Sequence, residues 1–310
     1  VIPEANGIAL RRGRLAVDVD RRGAVITAFR WQRADGICCA AMRDGAAHGG
    51  DPLKASCFPL LPFGNRVRDN RFTFGGRGFT LSPNQPWDRH YLHGDGWLTG
   101  WAIIDRGEAE VTLGMRHAAG TTTPYAYSAE IRYHLLNEAL SVSLTVRNEA
   151  PHALPFGLGL HPYFPLTALT KLQAVATGWF VEEAEFMPGA MAAVPNALDF
   201  SKPRQPPRHW INSGFTGWNG HARISWPETG VSLGISCGAA FGDYFLFMSD
   251  AAFEPSFAQD YFCFEPMTHR ADAHHATDLG GLVELAPGAA LSGEVVFEPR
   301  DDVRLPGSHS

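Results

Sequence analysis

Apolar residues recur at every second position along much of this chain, and that alternation decides what it can fold into. Leu140, Val142, Leu144 and Val146 alternate with Ser141, Ser143, Thr145 and Arg147. Just before them Ile131, Tyr133 and Leu135 alternate with Glu130, Arg132 and His134, and Asn137-Glu138 separates the two runs. Period two puts alternate side chains on opposite faces of a strand, so the pair predicts an antiparallel hairpin with one buried face. Leu15, Val17 and Val19 repeat the pattern before the turn Arg21-Arg22-Gly23. Val231, Leu233 and Ile235 repeat it again, as do Leu291, Val295 and Phe297 after Pro287-Gly288. No amphipathic helix of three turns is visible, and 33 glycines and 22 prolines punctuate the chain. The expected fold is all-β, with many short strands. Two antiparallel sheets in a large β-sandwich are favoured over a barrel.

With 310 residues, 45% of them hydrophobic, the chain can bury one large core or two ordinary ones. The strand-like patterns form one continuous series without a fixed repeat, so a single domain over residues 1–303 is expected. The polar stretch Arg304 to Ser310 reads as a frayed tail. Met187 to Gly220 is rich in Pro, Asn and Ser and reads as long excursions over the surface.

Charged residues are only 19% of the chain, which argues against disorder. The net charge of -6, with acids and bases interspersed, argues against nucleic acid as a partner. The apolar runs are too short and broken to cross a membrane as helices. Val1 to Leu10 lacks the basic-then-apolar order of a signal peptide. Cys38, Cys39, Cys57, Cys237 and Cys263 are odd in number and irregularly spaced, with no Cys-x-x-Cys pair. They are expected to be free thiols in a reducing cytoplasm.

Chemistry concentrates in a few strings. Gly157-Leu-Gly-Leu-His161-Pro162-Tyr163-Phe164 sets a histidine among apolar residues. Pro162 biases the residue before it toward extended backbone, so His161 is expected at a strand end, at the lip of a cleft. Imidazole gives and takes protons near neutral pH; the plainer alternative is a core histidine bonded to a carbonyl. In His93-Gly-Asp-Gly-Trp97 the glycines allow a tight turn and Trp97 offers a flat apolar face that suits a sugar. The alternative is a structural turn over a core tryptophan, and Trp101 follows at a four-residue spacing. Arg66, after the apolar run Phe58 to Phe63 and Gly64-Asn65, can donate to two hydroxyls at once, or can pair with an acid such as Asp69. Glu265 ends the aromatic run Tyr261-Phe-Cys-Phe264, where apolar neighbours raise a carboxyl pKa toward that of a useful base.

Other strings carry less. His269, His274 and His275 with Asp272 and Asp278 match no metal-ligand spacing, so no metal is expected. Gly75-Gly76-Arg77-Gly78 lacks the lysine and hydroxyl of a phosphate loop and reads as a hairpin turn. There is no Gly-x-Ser-x-Gly nucleophile elbow.

In order and separation, Gly64-Asn65-Arg66-Val67, His93-Gly94-x-x-Trp97, His161-Pro162-Tyr163-Phe164 and Glu265-Pro266 resemble the aldose 1-epimerases, the galactose mutarotase-like family. The resemblance spans Phe58 to Thr268. It implies one large antiparallel β-sandwich with a sugar site in a cleft on one face. It implies that Glu265 takes the proton of the anomeric hydroxyl and that His161 protonates the ring oxygen. His93 would bond to the same end of the substrate, Asn65 and Arg66 would hold remote hydroxyls, and Tyr163 would line the pocket. No cofactor or metal is implied, and the partner is a small aldose. One departure stands out. Typical members carry a sugar-binding aspartate three residues before a phenylalanine; here Ile211-Asn212-Ser-Gly-Phe215 puts Asn212 at that place, with Asp199 and Asp243 as alternatives for the role.

Three competing functions remain open at this point. A hexose-6-phosphate 1-epimerase on the same fold asks for extra cleft cations, for which Arg68, Arg71 and Arg89 are candidates. A non-catalytic carbohydrate-binding protein would be marked by loss of Glu265 or His161, and both are present. A glycoside hydrolase needs two carboxylates across the scissile bond, and only Glu265 stands out.

Overall fold

The strands form two large sheets in a computed structural model that describes residues 7–48 and 51–302. The tail read at Arg304 to Ser310 lies outside the described residues. The larger sheet has eleven strands. Its centre runs Cys57–Leu60, Gly159–Pro165, Tyr261–Met267, Asp243–Met248, Ile211–Thr216. The second sheet has eight strands, among them the hairpin Tyr127–Leu135 with Leu140–Asn148. That hairpin buries the alternation seen in the sequence: Ile131, Tyr133, Val142 and Leu144 are inside. Gly75-Gly76 turns the hairpin between Arg71–Phe74 and Arg77–Thr80, as expected. Among the described residues no helix is long and apolar enough to cross a membrane, and the five cysteines are free.

The sheets share one apolar cluster. Tyr133, Val142 and Leu144 of the eight-stranded sheet join Leu160, Phe262 and Phe264 of the other. Tyr133 also donates its hydroxyl hydrogen to the Ala24 carbonyl across the interface. On the core side of the larger sheet, Tyr244 stacks between Phe264 at 4.5 Å and Phe215 at 4.6 Å. Such offset aromatic pairs add roughly 0.5–1.5 kcal/mol each beyond their buried area.

Every residue of Tyr261–Met267 is buried, and so is every residue of Gly159–Pro165 except Pro165. Both faces of these strands are covered, so neither shows alternation in the sequence. The even positions of 244–248 and 262–266 face the core, which leaves the odd positions on the outer face. Two expectations are corrected here. His161 and Glu265 lie inside their strands, not at the ends, because the ladder continues to Pro165 and Met267. Within Met187 to Gly220, Ile211–Thr216 is a buried inner strand, not a surface excursion, because Asp243–Met248 pairs with its whole length.

Two loops over the outer face are fixed by backbone contacts. The Leu61 carbonyl accepts from Asp95 N at 3.0 Å and Gly96 N at 3.1 Å, which closes the turn after His93. Gly94 sits inside that contact with φ +67°, and a Cβ on it would stand 2.1 Å from the Leu61 oxygen. The Gly64 N–H donates to His269 Nε2 at 2.9 Å, and His269 Nδ1 in turn donates to the Arg270 carbonyl at 2.9 Å. His269 is therefore a structural ligand of the 64–66 turn, not of a metal.

Gly94→Ala forces a left-handed backbone and a clash together, so a loss of about 2–4 kcal/mol is expected. It should appear as a lower urea midpoint with an unchanged slope; a midpoint within error of the parent would refute the packing described. His269 supplies a second expectation. Burial holds its imidazole down at about 4, against about 6.5 in an unfolded chain. The unfolded state thus binds a proton that the folded state refuses, so the stabilisation is full above pH 6.5 and is lost as pH falls toward 4. At roughly 1.4 kcal/mol per unit, this one side chain costs about 2 kcal/mol between pH 6.5 and 5. His269→Gln can still accept from Gly64 without titrating, and should flatten the stability profile over that interval in urea titrations at each pH.

Candidate active site

The strand register assembles the site. Gly159 pairs with Met267 and Tyr163 with Cys263, and this register carried through sets His161 directly opposite Glu265. Phe58 pairs with His161 on one side, and Phe245 pairs with Glu265 on the other. A row Phe58, His161, Glu265, Phe245 therefore crosses four strands on the outer face. The next row, two residues along, contains Tyr163, Cys263, Phe247 and Asn212. Directly opposed side chains in a sheet are near neighbours, and His161 Nε2 lies 3.3 Å from Glu265 Oε1.

These rows floor a cleft of about 510 Å³. Asn65, Arg66, His93, His161, Tyr163, Asn212 and Glu265 all line it. Trp97 does not. It is 1% exposed, stacks behind Phe58 at 5.2 Å and donates Nε1–H to the Gly94 carbonyl. The expectation of a sugar platform at Trp97 is thus corrected: the indole packs behind Phe58 and against the edge of His93, of which only His93 touches the cleft. Asp199 and Asp243 lie off the cleft as well. Asp199 accepts from Ser201 N on the surface, and Asp243 is a buried residue with its Oδ1 unpartnered.

Four of the polar side chains in the cleft, those of Asn65, Arg66, His93 and Asn212, are tied to their surroundings by hydrogen bonds. His93 has φ 60° and Asn65 φ 60°, both left-handed. The Asn65 N–H donates to His93 Nδ1 at 2.9 Å, and the His93 N–H donates to the Asn65 carbonyl at 2.9 Å. With Nδ1 accepting, the neutral ring must carry its proton on Nε2. Arg66 donates from Nε at 2.8 Å and from Nη2 at 2.7 Å to Asp88 Oδ2. Its partner is Asp88 rather than Asp69. Asn212 Nδ2 donates to Glu182 Oε1 at 2.8 Å, so its Oδ1 is the atom left for a ligand. The His161 ring is sandwiched between Phe58 at 4.4 Å and Tyr163 at 4.8 Å, and the Arg43 guanidinium caps the far side of Tyr163 at 3.7 Å.

Burial dominates the electrostatics. It pushes the Glu265 carboxyl well above its usual range, with Arg66 opposing. It holds the His161 imidazole down at about 3. His93 is held well below its usual value, by burial first, with its neighbours His161 and Arg66 adding to the effect. Burial thus favours the neutral forms of His93, His161 and Glu265, and a neutral His93 presents Nε2–H to the cleft. Glu265 Oε2 and His161 Nδ1 are buried without a hydrogen-bond partner. The ligating atoms of His93, His161 and Glu265 lie within 4.8 Å of one another, the set among the described residues compact enough to embrace a cation. The cluster raised from the sequence is dispersed: His274 bonds to Tyr125 and His275 to Asp272.

Sequence reasoning missed Asp88, Glu182, Lys54 and the ring-bearing residues Trp87, Phe186 and Phe253 of the cleft. Glu182 ends the short strand Gly178–Glu182 and the others stand on loops and single 3-10 turns, where no periodicity marks them. Phe245 and Phe247 were legible in principle, from their two-residue spacing in a buried run.

A sequence model of the family described as aldose 1-epimerase matches residues 7–298. The uncharacterised protein YphB of Escherichia coli (strain K12) is 41% identical over 287 residues, covering 92% of this chain and 96% of YphB. A crystal structure from Escherichia coli K12, provisionally described as an aldose 1-epimerase, superposes with TM-score 0.89 at 40% identity, over 95% of this chain and 98% of the other. The GalM/aldose epimerase homologue of C. elegans shares the fold, with TM-score 0.83 at 16% identity over 96% and 99% of the two chains. The fold, the cleft and these likenesses agree, and the chain belongs to the aldose 1-epimerase family.

Proposed function

We propose that this protein interconverts the α and β anomers of a free aldose by acid/base opening and closing of the sugar ring. The observation that carries the reading is the His161–Glu265 pair, 3.3 Å apart at the floor of the cleft, each member with one buried atom unpartnered. A carboxyl and an imidazole held this close can pass a proton between them, as a base at one sugar oxygen and an acid at the other require.

In the empty cleft the pair's proton sits on Glu265, because burial disfavours both charges. Sugar hydroxyls that donate to the carboxylate favour its ionised form, and Arg66 helps in the same sense. The proton then moves to His161. Glu265 takes the proton of the C1 hydroxyl while His161 gives its proton to the ring oxygen. The C1–O5 bond breaks, C1=O forms, and the open-chain aldehyde is released from the ring constraint. Rotation about C1–C2 presents the other carbonyl face, and reversal of both transfers closes the opposite anomer. Protons and electrons balance over the cycle. His93 Nε2–H donates to the oxygen at which charge gathers. Arg66 and Asn65 hold remote hydroxyls, and Asn212 Oδ1 accepts from one in place of the family's carboxylate. This chemistry asks for no redox group, nucleotide or metal.

Two further observations support a free aldose over a phosphorylated one and a catalyst over a binder. Arg68 is tied to Asp272 and to the Pro188 carbonyl, and Arg89 to Glu185; neither they nor Arg71 line the cleft, whose cations are Arg66, tied to Asp88, and an exposed Lys54. Glu265 and His161 are both present and adjacent, which a sugar sensor does not need.

Positioned acids and bases are worth about 10²–10⁴-fold each. Glu265→Gln and His161→Asn should keep the fold, seen by circular dichroism, and lose turnover by that factor. The assay is polarimetric: freshly dissolved α-anomers of glucose, galactose, xylose and arabinose, followed with and without protein. Acceleration to the same final rotation, lost in both variants, is expected; a fully active Glu265→Gln would show that the base lies elsewhere.

A further inference from the structure

The cleft is larger than one sugar ring requires. Its volume is about 510 Å³, whereas a hexose, even at the loose ~30 Å³ per heavy atom of liquid water, takes up roughly 360 Å³. Exposure orders the lining. Glu265 is 1% exposed and His161 6%, at the floor; Trp87 is 45% exposed and Phe253 38%, at the mouth. A ring reacting at the floor leaves the outer, aromatic part unfilled.

That outer part is built rather than incidental. Phe253 meets Trp87 at 6.1 Å, Phe186 at 5.5 Å and Trp210 at 5.2 Å, so rings from separate segments converge. The Asp250 carboxylate accepts from Ala252 N and Phe253 N at 2.9 Å each, which fixes the turn that presents Phe253. Glu185 and Phe186 both have φ 62°. Left-handed backbone is unfavourable for a bulky side chain, and two such residues in a row persist only where their surroundings hold them. Arg89 and His90 grip the Glu185 carboxylate, and Asn212 Nδ2 donates to the Phe186 carbonyl at 3.4 Å. A strained, clamped turn thus projects an aromatic ring into the cleft, over the Arg66 guanidinium at 5.1 Å.

We propose that this outer aromatic shelf is a subsite for a second sugar ring, and that the preferred substrates are reducing disaccharides. The proposal rests on the epimerase reading above. The reducing-end ring reacts at Glu265 and His161, and the ring linked to it packs a C–H face on Trp87 and Phe253. Aromatic faces suit the apolar faces of pyranoses. The second ring takes no part in the bond changes; its binding energy orients the reacting ring. A monosaccharide leaves the shelf in water.

The test compares each disaccharide with its own reducing-end sugar as freshly dissolved single anomers: glucose against lactose, maltose, cellobiose and melibiose, and galactose against galactobiose. At least one disaccharide should exceed its monosaccharide in kcat/KM by about tenfold. Trp87→Ala, at an exposed position, should lower kcat/KM for that disaccharide about tenfold more than for the monosaccharide, and Phe253→Leu should act in the same direction. Monosaccharides turned over as fast as every disaccharide, or variants that lower both alike, would overturn the subsite and leave the epimerase standing. No acceleration of any sugar would overturn the epimerase reading, and the subsite with it.

Discussion

A carboxyl and an imidazole face each other across two buried central strands, and the rest of the site is arranged around that opposition. Strand register creates it. Because side chains alternate with period two, a slip of one residue by either Gly159–Pro165 or Tyr261–Met267 would turn that strand's group into the apolar core and separate the pair. Register here is set by the core face, where Leu160, Phe262 and Phe264 are fully buried. The hydrophobic pattern on one side of the sheet thus fixes the chemistry on the other. Pro162 belongs to the same design: it brings no N–H to the ladder, beside the very row where His161 and Glu265 meet.

Placing ionisable groups at the centre of a sheet has a cost that shapes their chemistry. Burial disfavours charge on either member of the pair, so each is biased toward its neutral form. A pair in that condition can exchange roles when a polar ligand enters, because the ligand's hydroxyls restore the hydrogen bonds that burial removed. The surrounding groups are prevented from interfering. His93 is locked as a neutral Nε2–H donor by the Asn65 amide. Arg66 is held by Asp88, with the ion pair almost wholly buried. The cleft thus offers one proton that can move and several that cannot.

Legibility in the sequence followed exposure. The hairpin Tyr127–Leu135 with Leu140–Asn148 has one wet and one dry face, so its alternation could be read directly. The strands that carry the site are covered on both faces, and their composition hides their extent; His161 and Glu265 were recognised as chemical groups but set at strand ends. Ile211–Thr216 was hidden for a different reason. Asn212, Ser213 and Gly214 are turn-forming types, and only pairing along Asp243–Met248 makes them a strand, a tertiary override of propensity. Motif order found seven of the cleft-lining polar and aromatic residues, Asn65 and Arg66 through Glu265. It misjudged Trp97, since a tryptophan beside turn glycines looks the same whether its ring faces the ligand or backs the groups that do.

The loops around the cleft share a physical trait: they are held in shape by strain and its restraints, not by periodicity. Asn65, His93 and Phe186 are all left-handed residues with side chains on the cleft. Each such residue costs of order 1–3 kcal/mol, and each is secured by a specific bond. Asn65 and His93 bond to each other, Gly64 is caught by His269, and Phe186 is carried by a turn whose Glu185 is gripped by Arg89 and His90. Strain met by dedicated hydrogen bonds around a single cavity is not what packing alone would produce. It indicates that the cleft is shaped before any ligand arrives, with its acid/base floor set by register and its aromatic mouth set by loops. The floor and the mouth of the cleft are thus set by two independent devices, strand register for the buried pair and clamped loops for the rings.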